Sequence, residues 1–415
     1  MGEIRVFEGA KVAEFAWVAV GPQVGRTLAE HGATVIHVES HRRPDLVRLS
    51  SPFKDFKPGI DRSALFAILN TNKYGISLDL SKPKAREIVK KLVMWADIVT
   101  ESFGPGVMKR LGLDYEEVRK IKPDIIYVST CMQGQYGPHS SHRAYGGQLA
   151  ALCGFPGLVG RADREPMHPM AYTDWLAPWY LVTALIGAMI RKRKTGKGMY
   201  LDQAQYEAGA TFLAQPILDF TVNRRVANRM ANRDPHAAPH GAYPCKGEDR
   251  WCVIAVFTDE EWKEFCRVIG NPAWTEDTKF ATLLGRKQNE DELDGLVSEW
   301  TSNYTAEEVM TLMQLRKIPA GIVSTIEDTF NDPNMRFRQH LVYLEHPVIG
   351  RHAYINEAIR FSKTPPDLRK AAPCLGEDNE QVYKEFLGLT DAQIADLLVA
   401  GVITTDVDLP ADLVL

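Results

Sequence analysis

The chain has 415 residues, 45% of them hydrophobic and 25% charged, which suits a globular protein of two or three domains or one large domain with an insertion. A net charge of −4 argues against nucleic acid or an anionic membrane as the main partner, so any anion site must come from locally placed lysine and arginine. Six cysteines (Cys131, Cys153, Cys245, Cys252, Cys266, Cys374) form no CxxC pair, which excludes a disulfide framework and metal-ligand spacing and suits reduced thiols in the cytoplasm.

In chain order, Lys11 to Phe15 reads as a strand, Gly21-Pro22 as a break, and Val24 to His31 as a helix stopped by Gly32. Thr34 to Val38 is a second strand ending at Glu39. Ser77 to Leu80, the Pro83–Trp95 helix, Ile98 to Thr100, a helix around Gly106–Leu111 and Ile125 to Ser129 repeat the scheme. Such alternation predicts an α/β fold with a parallel sheet and helices on both faces. The opening MGEIRVFEGAKVAEF has no apolar core flanked by basic residues, so it is not expected to act as a signal peptide. The apolar run from Ala177 to Ile190 is too short for a bilayer and reads as a buried helix.

Residues 1–218 therefore read as the first part of a large domain, and the polar, basic stretch 219–240 as a linker. Residues 241–330 read as a small α+β domain, with a hairpin (Ala242–Cys245, Trp251–Phe257) and helices at Glu260–Ile269, Glu290–Thr301 and Ala306–Leu315. Residues 331–415 read as a return linker and the C-terminal part of the large domain. Pro319 to Phe361 looks extended, with closing helices near Glu377–Leu387 and Asp391–Leu398.

The residue that promises chemistry is Asp174, at the head of YTDWLAPWYLVTALIGAMIRKRKTGKG. A carboxylate where loop becomes helix faces unpaired N–H groups and the positive end of the helix dipole. That setting is expected to keep it ionised and able to act as a nucleophile, although an ordinary helix cap fits the same position. Tyr172, Trp175, Trp179 and Tyr180 crowd it, as core or as walls of an apolar pocket.

Three stretches offer anion donors: Asn70-Thr71-Asn72-Lys73, Ser102-Phe103-Gly104 with Arg110 one turn on, and His142-Arg143 near Tyr145. Each alone reads as a turn, a helix start or a surface group. Their succession after strands of one sheet points to a shared ligand, since such sheets bind at the strands' carboxyl ends. A dinucleotide fold is disfavoured despite Glu39, because Gly21-Pro22-Gln23-Val24-Gly25 lacks the G-x-G-x-x-G spacing.

These segments together resemble the class III CoA-transferases, the group of the formyl-CoA:oxalate and carnitine enzymes. The resemblance rests on VFEGAKVAEFAWVAVGP, GATVIHVES followed by PDLVR, NTNKYGISLDLSKPKAREIV, ADIVTESFGPGVMKRLGLDYEEVRKIKPDIIYVSTCMQGQYGP, the Asp174 helix with RKRKTGKGMYLDQAQYEA, IPAGIVSTIEDTFNDP and PCLGEDNEQV. It implies a Rossmann-like large domain built from both chain ends, a smaller α+β domain, and an interlocked dimer or a hetero-oligomer with a related subunit. The implied substrates are acyl-CoA and a carboxylic acid, with coenzyme A thioesters as substrates, no tightly bound cofactor and no metal.

Residue by residue, Asp174 falls on the family's nucleophile. Asn70, Thr71, Asn72, Lys73, Ser102, Phe103, Gly104, Arg110, Arg143 and Tyr145 fall on CoA-contacting positions. Ala19 and Val20 stand where a glutamine often touches the acyl group, Gly146 stands where an acidic residue usually follows the tyrosine, and the formyl-CoA enzyme's glycine-rich flap has no counterpart. The implied activity is CoA transfer from a donor such as succinyl-CoA to a bulkier, partly apolar acid, an aromatic-substituted succinate such as benzylsuccinate being the leading acceptor. An α-methylacyl-CoA racemase is the alternative enzyme, with Tyr145 aligned to its histidine and His142 three residues away. A non-catalytic subunit of a heteromeric transferase is the third reading.

Overall fold

Six short apolar runs pair into one sheet in which every neighbour is parallel: β1 (Lys11–Phe15), β2 (Thr34–Glu39), β3 (Tyr74–Ser77), β4 (Ile98–Glu101), β5 (Ile126–Cys131) and β6 (Met199–Ala204). The strand order is β3-β2-β1-β4-β5-β6, as in a doubly wound dinucleotide-type sheet. This computed structural model describes residues 5–168 and 170–405. The chain divides into two compact units: Met1–Phe155, His168–Leu218 and Arg336–Leu415 form the first, and Pro156–Met167 with Asp219–Met335 the second.

Alternation along the strands explains the two layers of the first unit. Val12, Val35, Ile98, Ile126 and Val128 point to one face, under Val24 and Leu28 of the Val20–Glu30 helix and Leu181 and Leu185 of the Tyr172–Thr195 helix. Ala13, Phe15, Ile36, Val38, Val99 and Tyr127 point to the other, under Ile88, Val89, Leu92 and Val93 of the Ala85–Trp95 helix and under Val382 and Tyr383. Both faces are covered, so the central strands are wholly buried.

Several expectations shift. The third strand starts at Tyr74 instead of Ser77, because Tyr74 pairs with Ile36 while Asp79 already turns away to bond Val402. The Asp174 helix spans Tyr172–Thr195, 24 residues, and is long and apolar enough by length and composition to cross a membrane. Its stripe of Ala177, Leu181, Leu185 and Ala188 is buried on the sheet side, but Trp175, Trp179 and Tyr180 stay 44–46% exposed. It is a half-buried helix, not a buried one.

The second unit holds an antiparallel sheet, β7 (His240–Pro244), β8 (Trp251–Ala255) and β9 (Ala320–Ile322), over a core of Trp262, Phe265, Phe280, Leu293, Val297 and Val309. Its helices Asp259–Val268 and Ala306–Leu315 start from reciprocal caps, Thr258 with Glu261 and Thr305 with Glu308. The stretch 219–240 is less free than a linker: Ala237 and Ala238 are buried, and the Ala238 carbonyl accepts from Arg286 at 2.8 Å. The region expected to be extended carries the Ile326–Asn331 helix, capped by Thr325 and Asp328. In the first unit it carries the hairpin β10 (Leu341–His346) and β11 (Gly350–Ile355).

Candidate active site

Strand order reverses between β1 and β4, so the loops leaving these strands diverge and leave a crevice at their carboxyl ends. A cleft of about 850 Å³ occupies that place. Trp17, Val18, Ala19 and Val20 follow β1; Ser102, Gly104 and Pro105 follow β4; Cys131 and Met132 lie at the end of β5, and Gln205 follows β6.

The first wall is held tightly. Val18 has φ 73°, a left-handed conformation that a β-branched residue adopts only under constraint. Its N–H donates to the Asp45 carboxylate at 3.0 and 3.2 Å. Ser102 Oγ accepts from Trp17 N at 2.8 Å and donates to Trp17 O at 2.9 Å. The Val20–Glu30 helix then begins at Ala19 with no side-chain cap, leaving its first-turn N–H groups beside the cleft.

Asp174 faces this wall. It sits in the first turn of its helix but caps nothing: Ala171 is the cap residue, and no side chain bonds the free N–H groups. Its closest polar partner is the Thr173 hydroxyl, 3.4 Å from Oδ1. Burial pushes the carboxyl from 3.8 up to about 6, with Thr173 pulling weakly the other way. At that value the carboxyl is still mostly ionised at neutral pH, though less firmly than an ordinary aspartate. The same helix carries Pro178, which has no N–H to bond the Asp174 carbonyl four residues back. Gln23 Nε2 supplies the missing donor at 2.8 Å, tying the Asp174 backbone to the Val20–Glu30 helix.

Of the expected residues, Asp174, Ala19, Val20, Ser102, Gly104, Arg110, Arg143 and Tyr145 line this one cleft. Arg110 and Arg143 are exposed, and among the described residues no hydrogen bond or ion pair engages either guanidinium. Two unpaired cations in a crevice suit a phosphate-bearing ligand. Phe103 packs edge-on to Trp17, ring centres 4.9 Å apart, and does not line the cleft.

Asn70, Thr71, Asn72 and Lys73 are buried in the core instead. Lys73 Nζ bonds Glu14 Oε2 at 2.7 Å, the Pro22 carbonyl at 2.8 Å and Asn70 Oδ1 at 2.8 Å. Thr71 bonds Glu30, and Asn72 accepts from the backbone N–H groups of Arg369 and Lys370. Their donors are used up inside the fold. Glu39, the would-be ribose acid, is gripped by the Arg48 guanidinium. Tyr172, Trp175, Trp179 and Tyr180 do not wall the cleft either.

Sequence reading passed over Gln148 and Gln205, which line the cleft together with Gly146. Gln205 is buried, and no described side-chain bond holds its amide. Its place just after β6 was the available signal, since that strand continues the βα alternation. His142 lines the cleft too, its ring 4.5 Å from that of His139.

A doubly wound sheet whose switch-point cleft joins an ionisable aspartate to two free arginines suits an anionic ligand. The chain matches the model of CoA-transferase family III over residues 7–379. It is 30% identical over 400 residues to the succinyl-CoA–D-citramalate CoA-transferase of Chloroflexus aurantiacus, covering 96% of this chain and 98% of that one. It is 27% identical to the human succinyl-CoA:glutarate CoA-transferase, covering 97% and 91%. A crystal structure of a CaiB/BaiF family protein from Brucella suis superposes with a TM-score of 0.85 at 29% identity, over 92% of this chain and all of that one. The chain belongs to CoA-transferase family III and is a CoA-transferase.

Proposed function

We propose that the enzyme moves CoA from succinyl-CoA to a dicarboxylic acid through covalent intermediates on Asp174. The observation that carries this reading is the Asp174 carboxylate lining the cleft without a counter-cation, beside the uncapped start of the Val20–Glu30 helix in the same lining. Asp174 Oδ attacks the thioester carbonyl, the C–S bond breaks, and CoA leaves as thiolate from a mixed anhydride. The thiolate then attacks Asp174 Cγ, the anhydride C–O bond breaks, and succinate leaves. The acceptor carboxylate displaces thiolate from the aspartyl thioester, and the thiolate takes the acceptor acyl group, restoring Asp174. Each step exchanges one anion for another, so catalysis rests on proximity and on N–H donors facing each oxyanion. Arg110 and Arg143 hold the CoA phosphates.

Named relatives act on succinyl-CoA with citramalate or glutarate, which supports a dicarboxylate acceptor. Trp17, Ala19, Val20 and Met132 give the cleft an apolar lining, which favours a substituent such as the aromatic ring of benzylsuccinate. The exposed Trp175, Trp179, Tyr180 and Phe212 offer apolar side chains for a second copy to cover, in keeping with an interlocked, cytoplasmic dimer. Mass spectrometry after incubation with succinyl-CoA tests the mechanism: a peptide containing Asp174 is expected to carry CoA or, with hydroxylamine, a hydroxamate. An adduct elsewhere, or none during turnover, overturns it.

A further inference from the structure

The Asp174 carboxyl group rests on bare backbone at the start of the Gly146–Cys153 helix. A Cβ built on Gly146 would lie 2.5 Å from Asp174 Cγ, 2.5 Å from Oδ2 and slightly closer to Oδ1. Real Cβ atoms do not make such contacts, so any side chain at 146 would displace the carboxyl group.

The near-equality of the three distances is informative. A point in the carboxyl plane beyond the two oxygens would be clearly farther from Cγ than from either oxygen. Nearly equal distances place the Gly146 Cα–H direction above one face of the group. Gly147 repeats the device, since a Cβ there would lie 2.8 Å from His168 Cε1 and nearer still to Nε2. Two consecutive glycines thus let two side chains press onto one helical turn.

A trigonal carbonyl carbon is attacked from above or below its plane, and the reacting orbitals must be aligned for that approach. We propose that Gly146 is a positioning residue that closes one face of Asp174 Cγ, so that thiolate and acceptor reach this carbon only from the cleft side. The inference rests on Asp174 carrying the acyl and CoA groups. On the aspartyl anhydride, sulfur adds to Cγ from the open face, the C–O bond to the donor acyl group breaks, and the donor acid leaves as carboxylate. Water adding at the other face would give donor acid and free Asp174, with CoA already released. The sum is acyl-CoA plus water going to acid plus CoA, a wasted thioester.

Gly146→Ala tests this with two readouts besides turnover. The variant is expected to lose about 100-fold in kcat for transfer, the scale of a misplacement near 1 Å, while CoA affinity measured by calorimetry stays unchanged. The ratio of acyl-CoA hydrolysis to transfer is expected to rise, with ¹⁸O from labelled water entering Asp174 in a single turnover, as attack at Cγ requires. Should Gly146→Ala fold poorly, its Tm is compared in the Asp174→Ala background, where the clash is gone. Recovery of stability there supports the seat, and an equal loss in both backgrounds overturns it. Wild-type kcat and an unchanged hydrolysis ratio in Gly146→Ala also overturn it. Absence of any Asp174 adduct in the wild-type enzyme is a separate result and removes the mechanism itself.

Discussion

Within the first unit, carboxylates are withdrawn from water wholly within the sheet and partly at the cleft, and the withdrawal has opposite consequences at Glu39 and Asp174. At the end of β2, Glu39 is fully enclosed, and burial alone would raise its carboxyl. The charges of Arg48 and His37 and the hydrogen bonds from Arg48 outweigh that cost and hold it below the ordinary range. Glu14 takes Lys73 and His37 at 2.7 Å each. At the cleft, Asp174 has only a neighbouring hydroxyl, and its carboxyl climbs to about 6. At Glu39 the Arg48 cation makes a buried acid a structural tie; at Asp174, with no cation beside it, the carboxyl stays raised and available for bond formation.

The strongest way to break this contrast is to delete the unpaired acid. Asp174→Ala is expected to lower transfer by roughly 10⁴-fold or more, as loss of a nucleophile does. CoA binding, followed by calorimetry, is expected to persist. A variant that keeps a tenth of normal turnover would end the argument for Asp174. Arg48→Ala attacks the other side and strands Glu39, so the fold should lose about 3–5 kcal/mol in urea denaturation. A change below about 1 kcal/mol would mean the pair is ornamental.

Much of this was legible in the chain. Apolar runs of four to six residues broken by glycine turns marked strands β1, β2, β4 and β5, because both sheet faces are covered. Asp174 stood out because it heads the longest apolar stretch. Lys73 did not reveal its destination: it lies next to a strand, and only the fold brings Glu14, 59 positions away, to its ammonium. Nor could Val18 announce its positive φ, which Asp45 imposes from across the cleft wall. Trp175 and Trp179 read as core or pocket because composition reports an apolar side chain and not the direction it takes from its helix.

Asp174→Asn sharpens the contrast more finely, because it keeps the shape and removes the charge. Raising this carboxyl from 3.8 to about 6 costs the folded state on the order of 1–3 kcal/mol at neutral pH. The sign follows from the raised value. The penalty is fully present above about 6, shrinks as the pH falls through that value, and vanishes below 3.8. The amide variant should thus be the more stable protein at pH 8 and lose that advantage by pH 4, as thermal melts at both pH values would show. Wild-type kcat/KM should fall tenfold per unit of pH below about 6. An Asn variant that melts lower at pH 8 would show that Asp174 has a partner after all.

The smallest effect belongs to the exposed cations. Arg110 opens toward solvent at the cleft rim, so its contact with a phosphate is screened and replaceable. Arg110→Ala should weaken CoA binding by about tenfold at low salt, near 1.4 kcal/mol, with kcat little changed. Lys73→Met makes the counterpart: it should leave CoA affinity alone and cost stability, because its ammonium is spent on Glu14. If calorimetry in rising salt shows Lys73 governing affinity and Arg110 without effect, the ligand lies over the core network, and the division between tied and free charges fails.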